Sequence, residues 1–409
     1  MGGGTDRGHL TVTGGRGGIA VALDDLTRAV VELTTGSDVV GSVARRVHRL
    51  DLWWAEVLLS GPDAAALLGR AEWHRVATVR TLRSLSGDLE DLAWRTRGAV
   101  TAYRLAEEEA ALATRLGREA TLAVTRSLQG VGRAVGVFVD GRAAPVEDAP
   151  VEVGTRIEIW DLASIMTSQS LLSGRPIVRV IEIPQVDGSS AWILQIPGTQ
   201  AWHPRAGPVV HDLTSDLRLM GHQDGALAGA ALDALAQAQT RSGRLGRADP
   251  VMVSGHSLGG IAAMAIAADQ RAHERFHITH VVTAGAPVGH FVVGDAVVVL
   301  SLEHEDDIVP RADLTANPDR ANWTTVRREV PDGRMLFPGT RPSEHSAVTY
   351  RETARLAGLA AESGSEPSLV AWAATASAFL RTPRPGPGDN GREQRVRDYR
   401  VSRVTQSRS

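Results

Sequence analysis

In VMVSGHSLGG, residues 251–260, a serine stands among glycines directly after an apolar run. Gly255-His256-Ser257-Leu258-Gly259 fits G-x-S-x-G, the strand-to-helix turn that lifts a serine hydroxyl clear of a sheet. A serine hydroxyl is a weak nucleophile until a base accepts its proton, and a carboxylate must orient that base. In sites of this kind the chain order is serine, acid, histidine. Carboxylates follow the apolar run AVVVLSL in EHEDDIVPR, residues 303–311, at the carboxyl end of an expected strand where catalytic groups gather. His345 comes later, in GTRPSEHSAVTYRETARLAG, just before a helical pattern. His256 lies in the turn itself, while His273, His277, His280 and His290 precede the acid. His304 adjoins the acidic pair too closely to reach the serine independently. His345 is therefore the expected base, and the backbone N–H of Leu258 is expected to face the oxygen that becomes anionic.

The elements around these residues suit that chemistry. PVMVSG reads as a strand, GHSLGG as the turn and IAAMAIAADQRAHE as an Ala-rich helix; the small Gly255 and Gly259 let strand and helix approach closely. IVRVIEI (177–183), AWILQIP (191–197), ITHVVTAG (278–285) and AVVVLSL (296–302) are further β-branched runs, with helical stretches at 223–239 and 259–273. This alternation predicts an α/β region, a doubly wound, mostly parallel sheet covered by helices on both faces, over residues 155–382. Before it, residues 18–130 carry apolar side chains at helical spacing, as in LDDLTRAVVEL and VARRVHRLDLWWAEVLL, which predicts an all-α bundle. Trp53, Trp54, Trp73 and Trp94 read there as packing residues. Residues 131–154 read as a connector or hairpin, 1–17 as a flexible N-terminus and 383–409 as a disordered Arg-rich tail. A catalytic part beginning near Gly141 is large enough to fold alone.

Composition narrows the classes. The chain has 409 residues, with Lys plus Arg 44 against Asp plus Glu 47 and a net charge of −3, giving no reason to expect nucleic acid as partner. Every one of those cations is arginine, as codon bias toward Ala and Gly would also produce. The absence of cysteine excludes disulfides, thiolate nucleophiles and Cys-ligated zinc. No apolar run approaches the roughly 20 residues of a membrane span. The start, MGGGTDRGHLTVTGG, lacks the pattern of a cleavable signal peptide, leaving open a cytoplasmic protein or one exported by another route.

Taken together, IPGT (196–199), GHSLGG (255–260), DIVP (307–310) and the late His345 resemble the class 3, fungal-type lipase branch of the α/β-hydrolases over about residues 155–380. The resemblance implies an α/β-hydrolase fold and assigns the acid to Asp307, first residue of Asp-x-Val-Pro, rather than to Asp306. It also implies a second oxyanion donor at Thr199, within Pro197-Gly198-Thr199, where Pro replaces the family's usual Arg. The helical stretch ending in Tyr103-Arg-Leu-Ala-Glu107 is weakly similar to WXG-type proteins exported by type VII secretion, although it lacks a clear Trp-x-Gly turn. The expectation is thus a serine hydrolase for carboxylic esters, a lipase or esterase, with Ser257, Asp307 and His345 as triad, Leu258 and Thr199 as oxyanion donors, and no metal or organic cofactor. Its expected partners are an ester or lipid substrate and, through the N-terminal helices, a secretion partner or a second copy. The alternative is a secreted, type VII-associated interaction or effector protein that uses the hydrolase fold as a scaffold or acts on phospholipid. Lid candidates are the irregular stretches His203–Gly221 and Asp313–Pro338.

Overall fold

The computed structural model describes residues 10–16, 19–50, 64–134, 141–148, 158–201, 207–220, 225–330, 345–380 and 393–404. In chain order these form β1 (Leu10–Gly14), α1 (Ile19–His48), α2 (Ala64–Ala134), β2 (Ala143–Asp148), α3 (Leu162–Ser170), β3 (Ile177–Pro184), β4 (Ser190–Ile196) and α4 (Leu213–Met220). There follow α5 (Ala226–Arg241), β5 (Pro250–His256), α6 (Leu258–Ala268), α7 (Gln270–Arg275), β6 (His277–Ala284), β7 (Val298–His304), β8 (Trp323–Arg328), α8 (Ala347–Glu362), α9 (Pro367–Thr375) and β9 (Arg395–Arg403). Among the described residues no helix is long and apolar enough to cross a membrane.

The chain divides into two units, Ala20–Ala111 and the remainder, Met1–Ile19 with Leu112–Ser409. In the first, α1 and the first part of α2 run antiparallel. Ser37 on α1 meets Ser86 on α2 through reciprocal hydroxyl–carbonyl bonds of 2.9 and 3.0 Å, and Arg75 Nη1 donates to the His48 carbonyl at 2.6 Å. Val30, Ala44, Val79, Ala93 and Val100 are buried here, at the near-heptad spacing that keeps one face of each helix inward. Trp73 and Trp94 correct the packing expectation: they are 66% and 72% exposed, because they project from other faces of α2 than the Val79–Ala93–Val100 seam. Trp53 and Trp54 lie outside the described residues, as does the side chain of Tyr103.

The second unit is α/β, built on a nine-stranded sheet in the order β1-β8-β7-β6-β5-β4-β3-β9-β2. The strands from β4 through β8 pair in parallel, and the pairings outside them, at both ends of the sheet, are antiparallel. The sheet is therefore mixed, with a parallel centre. Its two faces carry separate apolar layers. Val251, Val253, Val281 and Val299 face the layer that includes Leu227, Leu235, Ile261 and Ala262 of α5 and α6. Met252, Val282, Leu300 and Leu302 face Ile165, Tyr350, Ala354 and Trp372 of α3, α8 and α9. This is the period-2 alternation of strands buried on both faces.

Four expectations are corrected. Residues 10–14 are not a flexible terminus but β1, paired antiparallel with β8. Residues 395–403 of the expected disordered tail are β9, which lies between β3 and β2. The expected connector contains β2, paired with β9. The lid candidate Asp313–Pro338 contains β8, an internal strand. A chain beginning near Gly141 would lack β1, an edge strand of the sheet.

Candidate active site

β5 ends at His256 and α6 begins at Leu258, so Ser257 alone makes the turn, with φ 55° and ψ −125°. A non-glycine residue in that region stores strain of about 1–3 kcal/mol and persists only where its surroundings hold it. The hold is visible. Ser257 N–H donates to the Ala284 carbonyl at the end of β6 at 2.9 Å, and the Ser257 carbonyl accepts from Gly260 and Ile261 at 2.9 and 3.2 Å. The flanking glycines are spatial requirements. A Cβ on Gly255 would stand 2.1 Å from the Gly259 carbonyl, and one on Gly259 would stand 1.8 Å from the Ile196 oxygen. Only hydrogen at both positions lets α6 press against β4 and β5.

Above the turn, Ser257 Oγ lies 3.0 Å from His345 Nε2, and His345 Nδ1 lies 2.8 Å from Asp307 Oδ2. The Asp307 carboxylate accepts from Nδ1–H, which leaves Nε2 with its lone pair toward the serine hydroxyl. These three side chains, separated by 88 and 38 positions in the chain, thus form one hydrogen-bonded line. Asp307 follows β7 and is buried, whereas Asp306 is exposed. Asp307 accepts two more bonds, from Tyr350 OH at 2.8 Å and from Val309 N–H at 3.0 Å. Burial works to raise its pKa, but the bonds from His345, Val309 and Tyr350 together with the His345 charge outweigh burial and hold it below the ordinary carboxylate value. Tyr350, on α8, is pushed well above the ordinary phenol range by burial first and then by the Asp307 charge, so it stays a donor. Its oxygen in turn accepts from His304 N–H at 3.2 Å, and its ring stacks on that of His304 at 3.8 Å.

Tyr350 gave no sequence signal, because nothing in SAVTY distinguishes a packing tyrosine from one that supports the acid. The same holds for Asp216 on α4. Thr199, in the loop after β4, donates its hydroxyl to Asp216 Oδ2 at 2.9 Å. Burial pushes Asp216 up to about 7, the Thr199 bond opposes this and the Asp212 charge adds to it. Among the described residues, neither the N–H of Leu258 nor that of Thr199 donates to a protein acceptor. The Leu258 N–H heads α6, at its positive end.

His273, His277, His280, His290 and His304 are engaged with other partners. His304 Nε2 pairs with Thr353 at 2.7 Å, His280 contacts Thr279 and Thr375, and His273 and His277 meet backbone carbonyls. His290 and Asp313 form a second imidazole–carboxylate pair at 2.8 Å, but both side chains are fully buried, whereas the His345 side chain is 30% exposed and can meet a substrate. A cavity of about 850 Å³ bordered by Arg218, Leu219, Asp233, Ile266 and Arg275 touches none of the three line residues. Among the described residues no group of three or more His, Asp or Glu is placed to hold a metal ion. Compared with protein-family models, curated proteins and solved structures, the chain gives no significant match to any of them.

Proposed function

We propose that the protein is a serine hydrolase that cleaves carboxylic esters, on a scaffold of the α/β-hydrolase type. The observation that carries this reading is the Ser257–His345–Asp307 line standing on a strained turn at the carboxyl end of the parallel strands. Ser257 Oγ attacks the acyl carbon as its proton passes to His345 Nε2. The ester C–O bond then breaks, and the alcohol leaves with that proton while the acyl group stays on Oγ. Water attacks the acyl-enzyme, gives its proton to Nε2, and Oγ recovers the proton as the acid departs. Each cycle converts one ester and one water into an acid and an alcohol. Asp307 holds the Nδ1–H tautomer and stabilises the transient imidazolium, and the N–H groups of Leu258 and Thr199 receive the oxyanion.

The test is a series of p-nitrophenyl esters from acetate to palmitate, assayed with the wild type and Ser257→Ala. Turnover by the wild type, reduced by several orders of magnitude in a folded Ser257→Ala protein, is the expected outcome. Equal rates for the two would remove Ser257 from the chemistry. The chain length at which the rate peaks would define the acyl preference.

A further inference from the structure

His256, the residue before the nucleophile, has a geometry that the triad does not account for. Its Nε2 lies 2.7 Å from the backbone carbonyl of His345, 89 positions away. A carbonyl can only accept, so Nε2 carries the hydrogen and Nδ1 the lone pair. That Nδ1 faces the loop bearing Thr199: it lies 3.3 Å from where a Cβ on Gly198 would stand. The ring centroid is 4.8 Å from that of His345 and 5.8 Å from that of Tyr350. One imidazole therefore bonds the residue that carries the base and leaves at Gly198 no free room for a Cβ.

A merely space-filling ring would not need this polarity. Burial, and after it the neighbouring His345 charge, push His256 down to about 4, so its Nε2–H is offered without a second positive charge beside the imidazolium. The bond grips the base at its backbone. The side chain of His345 already spends Nδ1 on Asp307 and Nε2 on Ser257, and Ser346 immediately begins the cap of α8 by accepting from Thr349 N–H at 3.2 Å. Movement of the His345 backbone would misalign both ring bonds together.

We propose that His256 is a positioning residue for the base, anchoring the His345 backbone through Nε2–H so that the ring keeps spanning Ser257 and Asp307 while its charge changes. This rests on the ester-hydrolase reading of the site. His256→Phe keeps a ring and removes the donor, while His256→Gln places an amide N–H at the Nε2 position. The full-length chain is assayed with p-nitrophenyl butyrate, and the low-field proton resonance of His345 Nδ1–H is followed by NMR. The Phe variant is expected to lose about 100-fold in kcat with KM near the wild-type value, and its resonance to broaden through faster exchange. The Gln variant is expected to recover most of both. Wild-type kcat and resonance in the Phe variant, or equal losses in Phe and Gln, would overturn the proposal in favour of packing alone. Should the Phe variant be insoluble, Gln is compared with Asn, whose amide reaches only the Nδ1 position; Gln active and Asn impaired supports the anchor, and equal behaviour refutes it. A wild type that hydrolyses no ester would count against the reading of the site, while the resonance would still report whether His256 holds His345.

Discussion

At the scale of single residues, Asp307 accepts hydrogen bonds at both carboxylate oxygens, whereas Asp306 beside it is exposed. Replacing Asp307 by Asn keeps the shape but offers His345 Nδ1 an amide that can donate, which favours the wrong tautomer. Asp307→Asn is therefore expected to lower kcat by about three to four orders of magnitude. Asp306→Asn should stay within a factor of about three, as surface changes do. Steady-state assays of the two variants decide the matter, and the opposite ranking would transfer the acid to Asp306. The G-x-S-x-G motif pointed to Ser257 and chain order to His345, and the structure places these two side chains 3.0 Å apart. The choice between adjacent acids was not legible, because it depends on which side of the turn after β7 faces inward. It entered through the resemblance, and the geometry now gives it a physical cause in Tyr350 and the Val309 N–H.

Among the elements, the central strands were legible and the outer ones were not. β3, β4, β5, β6 and β7 are β-branched runs buried on both faces, so composition marks them. β9 reads RVRDYRVSR, and its polarity suggests a solvated tail; three of its charged residues are instead paired with groups distant in the chain. Arg179 on β3 makes two bonds of 2.7 Å to Asp398 on β9 with both side chains fully buried. Arg403 pairs with Asp212 at 2.6 Å, and Arg395 with Glu182 at 3.1 Å. Partners that lie 219, 191 and 213 positions apart leave no local signature. A buried ion pair need not stabilise relative to apolar packing, yet losing one partner strands the other charge. Asp398→Leu is accordingly expected to cost about 3–5 kcal/mol in urea unfolding, and the double variant Arg179→Met/Asp398→Leu to recover most of that loss. If the single and double variants unfold at the same urea concentration, β9 is not held by this pair.

For the molecule as a whole, buried titratable groups in separate places combine into one dependence of stability on pH. His211, His256 and His280 are pushed down by burial from the ordinary 6.5 to about 3, 4 and 4. A histidine neutral in the folded chain but protonated when unfolded contributes stability that is full above about 6.5 and is lost as pH falls toward the folded value. Asp216 and Glu303 act oppositely, since burial raises both, and a carboxyl whose pKa rises on folding contributes stability that declines as pH rises. Three histidines against two carboxyls leave a net fall in stability from pH 6.5 toward 4.5, which urea midpoints over that range would record. His211 isolates the effect. It is fully buried, its carbonyl accepts from Gln200 and Ala201 N–H at 2.7 and 3.1 Å, and among the described residues neither ring nitrogen has a hydrogen-bond partner. His211→Leu fills the same space without two unsatisfied polar atoms, so at pH 7 it is expected to stabilise the fold by about 1–3 kcal/mol. It should also remove one proton from the unfolding equilibrium, reducing the slope of stability against pH near pH 5.5 by about 1.4 kcal/mol per unit. A variant with the wild-type slope would mean that His211 is protonated in the folded state, and a destabilised one that its ring nitrogens are satisfied by internal water.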